Sequence, residues 1–291
     1  MQLGIIGNPI KHSISPPLFN RLLKMKNLNL KYVAIEVAIT GLENFIKWLR
    51  HSGILGLNIT IPFKESIYAF LDWIDAAAAR IKAVNTIHVV NGHLHGFNTD
   101  HYGFTESIKE IRSEIKKVLI LGGGGAARAV LFSISRLGPQ EIFLVERTAE
   151  KRKKLQKDFE DLPNLEILAW HESYILQKLK VADLVVNTTP LGLASVSKSF
   201  PLEPDFSLEN KIFYDLIYQP AVTPFLKIGQ ERGALIKNGL EMLIYQAMKS
   251  LEIWTGLKTE FREWLEVYNS LFKVKIQIEG IEDKNKKIRQ K

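Results

Sequence analysis

The stretch from Val118 to Leu137 constrains the fold more than any other. Four apolar residues, Val118–Leu121, run into Gly122-Gly123-Gly124-Gly125, and Ala126–Leu137 then carries apolar side chains at helical spacing. The alternation continues with a strand at Glu141–Val145, a charged helix at Ala149–Phe159, and strands at Leu165–Ala169, Leu184–Asn187 and Ile212–Asp215, before Ile236 begins the approach to the last helices. Continuous apolar strands separated by helices predict a parallel sheet covered on both faces. Within the loop, Gly122, Gly124 and Ala127 fit G-x-G-x-x-A. Glycine permits the tight turn and lets the backbone approach a pyrophosphate, and the N–H groups opening the next helix favour anions. A strand before and a helix after distinguish this fingerprint from a chance glycine turn.

The same fingerprint expects an acid at the end of the next strand, on the ribose. Glu146 stands there, followed by Arg147 and Thr148, with Lys151 and Arg152 close by. A carboxylate accepts hydrogen bonds from a free 2′-hydroxyl and repels a 2′-phosphate, whereas arginine attracts the phosphate. Glu146 points to NAD and Arg147 to NADP, and the residues alone leave both open.

The first hundred residues also alternate, in shorter pieces. Strands are predicted at Leu3–Gly7, Leu30–Ile35 and Gly56–Ile61, with helices at Pro17–Met25 and Leu42–Ser52, the second opened by a capping box at Thr40-Gly41-Leu42-Glu43. Val84–Val90 and His93–Phe97, joined by Asn91-Gly92, read as a hairpin. Two α/β domains with a boundary near residue 102 follow, the second being Rossmann-like. Polar residues gather at the strand ends of the first: Ser13 and Ser15 two apart, Asn58 and Thr60 two apart, then Lys64, Asn85-Thr86 and Asn98-Thr99-Asp100. In extended chain, residues two apart face the same way. Short hydroxyls and amides suit a polyhydroxylated ligand, and lysine with aspartate supplies a proton-transfer pair.

Composition removes several classes. The chain has no cysteine, which excludes a disulfide framework, thiolate metal sites and thiol catalysis. His93 and His95 share a strand face but lack a third ligand, so they read as a solvated hairpin and no metal is expected. Trp254 and Trp264 read as packing residues. No leader and no run of about 18 apolar residues is visible, so a cytoplasmic protein is expected, with no membrane partner. The net charge of +8 suggests nucleic acid until it is located. Residues 273–291 hold seven Lys/Arg against three acids, half of that excess, and the preceding 272 residues are near balance. A solvated basic extension with no nucleic-acid role is the expectation.

Together these segments resemble the shikimate dehydrogenases, a family of the shikimate and quinate dehydrogenases. The resemblance covers about residues 3–257 and rests on Gly7-Asn8-Pro9-Ile10 with His12-Ser13 and Ser15-Pro16, Asn58–Lys64, Ala83-Val84-Asn85-Thr86, Asn98-Thr99-Asp100, Leu121–Ala127, Arg147-Thr148, Asn187–Gly192, Tyr214–Pro220 and Gly239–Leu243 with Gln246. It implies a substrate-binding catalytic domain over 1–102 plus 239–272 and a dinucleotide-binding domain over 103–238, with the substrate in the cleft between. It implies Lys64 and Asp100 as the catalytic pair, Ser13 and Ser15 on the substrate carboxylate, and Thr60, Asn85, Asp100 and Gln246 on its hydroxyl face, with Tyr218 also in contact. To the cofactor it assigns Gly122, Gly123, Gly124, Gly125, Ala126, Glu146, Arg147, Thr148, Lys151, Leu216, Gly239 and Met242, the last near the nicotinamide.

The implied reaction is reversible reduction of 3-dehydroshikimate to shikimate in aromatic amino-acid biosynthesis, by a monomer or homodimer. An NAD-dependent quinate/shikimate dehydrogenase is the alternative, and a nonenzymatic nucleotide-binding regulator a more distant one. Three positions depart from the family pattern: Lys82 stands where glycine is usual, Phe19 where histidine is common, and Glu146 where NADP-using members carry Asn. Because Arg147, Thr148 and Lys151 remain, NADP is the expected cofactor, with NAD kept open by Glu146.

Overall fold

The computed structural model describes residues 1–193, 196 and 199–272, so the basic extension at 273–291 lies outside the described residues. Two six-stranded sheets organise the chain. The first takes β1 (Gln2–Gly7), β2 (Lys31–Glu36), β3 (Ile54–Ile59), β4 (Trp73–Ile74), β5 (Thr86–Val90) and β6 (His93–Phe97), in the order β2-β1-β3-β5-β6-β4. β1 runs parallel to β2 and β3, while β5 is antiparallel to both β3 and β6, making this sheet mixed. Asn91 (φ 51°) and Gly92 (φ 79°) are both left-handed, the backbone that a two-residue hairpin turn demands.

Helices α1 (Ser15–Met25), α2 (Leu42–Leu49) and α3 (Ala76–Ile81) connect these strands. The capping box does not form. Residues 39–41 make a 3-10 turn that leads straight into α2, so Gly41 enters with helical backbone (φ −92°, ψ −3°) and no side chain caps it. The cap position thus falls on Gly41, which has no side chain, and not on Thr40 of the expected box.

After α4 (Asp100–Ser107) the second sheet takes β7 (Lys117–Leu121), β8 (Glu141–Glu146), β9 (Leu165–Ala169), β10 (Leu184–Asn187), β11 (Ile212–Asp215) and β12 (Leu235–Lys237). Its order, β12-β11-β10-β7-β8-β9, is parallel throughout, with α5 (Gly125–Ser135), α6 (Ala149–Asp158), α7 (Glu172–Val181) and α8 (Pro224–Glu231) between strands. Alternate residues divide between two cores: Val118, Ile120, Ile142 and Leu144 pack with α5, and Leu119, Leu121, Phe143 and Val145 pack with α7 and α8. Both faces are dry, which is why these strands read as unbroken apolar runs. Each buried Leu or Ile contributes about 1.5–3 kcal/mol. The order reverses between β7 and β10, and a doubly wound sheet binds its ligand in the crevice at such a point.

Helices α9 (Leu240–Thr255) and α10 (Phe261–Phe272) return to the first sheet and share a core with β1 and α1. Trp254 and Trp264 are buried there, as expected. Trp254 lies so close to Gly56 that a Cβ on that glycine would sit 2.2 Å from Nε1, and the indole donates to Ile87 O at 2.8 Å. The glycine in β3 therefore seats α9.

Asp215, fully buried at the end of β11, accepts from Thr223 Oγ1 (2.6 Å), Asn187 Nδ2 (3.1 Å) and Ile217 N (3.0 Å). Burial outweighs these bonds and raises its pKa from 3.8 to about 6. A folded-state pKa above the unfolded one stabilises below the unfolded value, and that contribution is lost as pH rises through the folded value. Relative to wild type, Asp215→Asn should gain stability as pH rises from about 4 to about 7, by at most about 3 kcal/mol. Urea denaturation across that range measures it, and a pH-independent difference would contradict it.

Candidate functional site

Two loops converge where the sheets face each other. After β3 the chain passes Thr60, whose N–H donates to Ile6 O at 3.0 Å, and delivers Lys64. Lys64 Nζ meets Asp100 Oδ2 at 2.6 Å, at the start of α4, with side chains only 16% and 8% exposed. The other carboxylate oxygen, Oδ1, accepts from Asn85 Nδ2 at 2.8 Å. Both carboxylate oxygens are thus engaged, while Asp100 takes only one of three ammonium protons and no other acceptor binds Lys64 Nζ among the described residues. A charge-assisted contact this short and shielded is stronger than a surface pair. Gly125, the first residue of α5, lies against this lysine: a Cβ there would be 2.9 Å from Lys64 Cβ. The glycine loop and the stem of this lysine are therefore neighbours.

The two serines sit at the entry to α1. Ser13 Oγ accepts from Ser15 N at 3.3 Å, and Ser15 is buried. Tyr218 packs against the core that holds Ile14, between the serines, and burial pushes its phenol up to about 12. Thr60 lies beside Gly7, where a Cβ would meet Thr60 Cγ2 at 2.6 Å. Gln246 projects from α9, its Nε2 donating to Leu243 O at 2.8 Å. Gly103 lets α4 press against this helix: a Cβ there would be 2.5 Å from Met242 O and 3.0 Å from Gln246 Cβ. Gln246 and Met242 are thereby held beside the helix that begins with Asp100.

At the glycine loop, Gly122 is left-handed (φ +107°), and a Cβ would lie 2.6 Å from Thr188 Oγ1. Gly124, which opens α5, has open space where its Cβ would be. That space, in front of a helix N-terminus with no side-chain cap, suits a diphosphate. Gly239 meets the loop after β11, where a Cβ would be 2.0 Å from Leu216 O. Leu216 N in turn donates to Asn187 O at 3.0 Å.

The contradiction at the ribose position has a geometric side. Glu146 is 7% exposed, and its Oε1 accepts from Thr148 N at 2.8 Å, at the entry to α6. Its other oxygen faces Gly123, where a Cβ would be 2.8 Å from Oε2. Arg152 braces the turn, donating to Glu146 O (3.0 Å) and Arg147 O (2.9 Å). Arg147 and Lys151 are exposed, with no ion pair among those found for the described residues.

The departures at positions 19 and 82 also gain partners. Phe19 stacks on Tyr32 at 4.2 Å. Lys82 adopts φ 57°, ψ 35°, the left-handed backbone that glycine takes freely and other residues hold at about 1–2 kcal/mol. Its Nζ reaches Asp158 Oδ1 at 2.6 Å on α6, and Arg128 Nη2 reaches Asp158 Oδ2 at 2.6 Å. Arg128 Nη1 also donates to Ile81 O at 3.3 Å, so ion pairs join the two sheets' helices beside the glycine loop.

His93 is exposed, and no group of three or more metal-ligating side chains is found among the described residues. Two contributors to the polar interior had drawn no notice in the sequence. Tyr32 donates to Asn58 Oδ1 at 2.7 Å, and Ser250 contacts three side chains around Asn85. The available signal was Ser250 lying one helical turn beyond Gln246.

Known proteins resemble this chain over most of its length. Residues 5–87 match the shikimate dehydrogenase substrate binding domain, and residues 239–259 match the shikimate 5′-dehydrogenase C-terminal domain. A shikimate dehydrogenase (NADP(+)) of Carboxydothermus hydrogenoformans is 43% identical over 259 residues, covering 87% of this chain and 91% of that one. The Thermus thermophilus shikimate 5-dehydrogenase, solved with NADP(H) and shikimate, superposes with a TM-score of 0.78 at 33% identity, covering 93% and 99% of the two chains. A Listeria monocytogenes shikimate 5-dehydrogenase, solved with shikimate and NAD, gives 0.78 at 28% identity, covering 92% and 96%.

Proposed function

The chain belongs to the shikimate dehydrogenase family, and from that premise we propose how its residues carry the reversible NADPH-linked reduction of 3-dehydroshikimate to shikimate. NADPH, when bound, supplies the hydride. The residues present fit it: open space at Gly124 before α5 for the diphosphate, and exposed Arg147 and Lys151 for a 2′-phosphate. Leu216, Gly239 and Met242 lie together on the nicotinamide side.

Reduction places growing negative charge on the ketone oxygen. The Lys64 ammonium stabilises that charge and donates the proton; in oxidation the neutral amine accepts it. Asp100 aims the ammonium and hydrogen-bonds the neighbouring substrate hydroxyl. Asn85 gives its amide protons to Asp100 and Thr99, and so serves the substrate by holding that carboxylate. Ser13 and Ser15, on the turn beside Tyr218, take the substrate carboxylate, with Thr60 and Gln246 on its hydroxyls. The observation that carries this reading is the shielded Lys64–Asp100 pair, with Gly125 against the lysine.

Of the bounds 1–102 plus 239–272 and 103–238, the assignment of 239–272 to the first domain is supported by α9 and α10 sharing a core with β1 and α1, while α4 (Asp100–Ser107) runs across the bound at 102. All the proposed groups come from one chain, which suits a site complete in a monomer or in each half of a homodimer. No described helix is long and apolar enough to cross a membrane, and we place the enzyme in the cytoplasm.

Purified protein should reduce NADP+ in the presence of shikimate, followed at 340 nm. NADP+ binding without turnover would favour the regulator reading. NADP+ should give the higher kcat/KM, because Glu146 has one oxygen bonded back to Thr148 while Arg147 and Lys151 are exposed. Glu146→Gln removes one partly screened repulsion from a 2′-phosphate and should raise the NADP+/NAD+ ratio of kcat/KM by about fivefold. A ratio that falls would contradict the placement of Glu146 beside that phosphate.

A further inference from the structure

We infer that Ser250, on α9, is a positioning residue for Asp100, acting through a buried hydroxyl cluster that fixes which way the Asn85 amide points. The inference rests on Asp100 working with Lys64 as proposed above. Asp100 Oδ1 accepts from Asn85 Nδ2 at 2.8 Å, so the amide must present its nitrogen to the carboxylate. Turned over, it would set a carbonyl oxygen against a carboxylate oxygen, two acceptors with no proton between them.

The far side of the amide decides its orientation. Asn85 Oδ1 accepts from Thr99 N at 2.6 Å, and the second Nδ2 proton goes to Thr99 Oγ1 at 2.9 Å. The Thr99 hydroxyl must therefore stand as an acceptor, and its own proton has three acceptors in reach: Thr86 Oγ1 at 3.1 Å, Asn85 Oδ1 at 3.2 Å and Ser250 Oγ. Ser250 Oγ lies 3.1 Å from it. Ser250 has one proton and gives it to Gln246 O at 2.9 Å, so towards the threonines it can only accept. Thr86 Oγ1 at 2.9 Å and Asn58 Nδ2 at 3.0 Å share its two lone pairs with Thr99. Asn58, Asn85, Thr86, Thr99 and Ser250 are all 6% exposed or less, so bulk water does not stand in for a missing member.

The bond from Ser250 to Gln246 O has a second effect. It ties the turn of α9 that carries Gln246 to the same cluster, so one hydroxyl sets both the catalytic carboxylate's amide and the helix facing the substrate. A cluster that only stabilised the core would lower the melting temperature and leave the folded enzyme's chemistry alone. A positioning cluster alters kcat.

Ser250→Ala should lower kcat for shikimate oxidation about tenfold, a barrier change of about 1.4 kcal/mol, with the KM for NADP+ within about twofold of wild type. Thr99→Val, which keeps the shape and removes the hydroxyl, should lower kcat similarly, whereas Thr99→Ser should restore it. Circular dichroism gives the folded fraction, so that each kcat is per folded enzyme. Wild-type kcat per folded enzyme in Ser250→Ala would overturn the inference, as would a Thr99→Ser variant as impaired as Thr99→Val. A wild-type chain that does not turn over shikimate would be a separate result, overturning the functional reading itself.

Discussion

Lys64→Ala is expected to lower kcat for shikimate oxidation by about 1,000-fold, while the KM for shikimate changes by no more than about threefold. The magnitude follows from two losses at one atom: the proton acceptor for the alcohol, and the ammonium that stabilises an oxyanion in the reverse direction. Substrate binding is largely spared because the carboxylate is assigned to Ser13 and Ser15, and the hydroxyls to groups on other elements. Asp100 keeps its bond from Asn85 in the variant, so the carboxylate is not stranded. Steady-state kinetics in both directions separates the possibilities. A variant with kcat within tenfold of wild type would remove Lys64 from the chemistry, and one with normal kcat and a greatly raised KM would make it a binding residue.

Gly122→Val is expected to raise the KM for NADP+ by about 100-fold, with shikimate binding little changed. Valine at φ +107° is strained by about 1–3 kcal/mol. Its Cβ would also sit 2.6 Å from Thr188 Oγ1, which donates to Leu121 O at 2.7 Å and thereby holds the end of β7. Relief of both requires the loop to move, and the backbone N–H groups before α5 then lose their aim at the diphosphate. Titration of NADP+ against the variant, followed by tryptophan fluorescence, reads binding without turnover. Affinity within about threefold of wild type would show that this glycine is not part of the cradle.

Much of this architecture was legible in the sequence for identifiable reasons. The second sheet was read nearly strand by strand, because dry faces on both sides demand unbroken apolar runs such as Val118–Leu121. The Lys64–Asp100 pair was legible because both residues follow strand ends, where side chains meet whatever faces the sheet edge. The capping box failed because four letters cannot show that the chain enters α2 through a 3-10 turn. Lys82 was visible as a departure from a glycine pattern, but its partner Asp158 lies 76 residues away and only the packed structure joins them. Glu146 posed a conflict that letters could not resolve, since the outcome depends on where each carboxylate oxygen points. Ser250 was hidden because one hydroxyl on an amphipathic helix carries no pattern, although its four polar neighbours come from β3, β5, the entry to α4 and its own helix.

One grid of initial rates, shikimate and quinate each against NADP+ and NAD+, tests both the substrate and the cofactor. Membership of the shikimate dehydrogenase family, with Arg147 and Lys151 exposed, predicts that shikimate with NADP+ gives the highest kcat/KM. A maximum for quinate with NAD+ would contradict the assignment of both substrate and cofactor, and cofactor binding with no turnover in any arm would contradict catalysis itself.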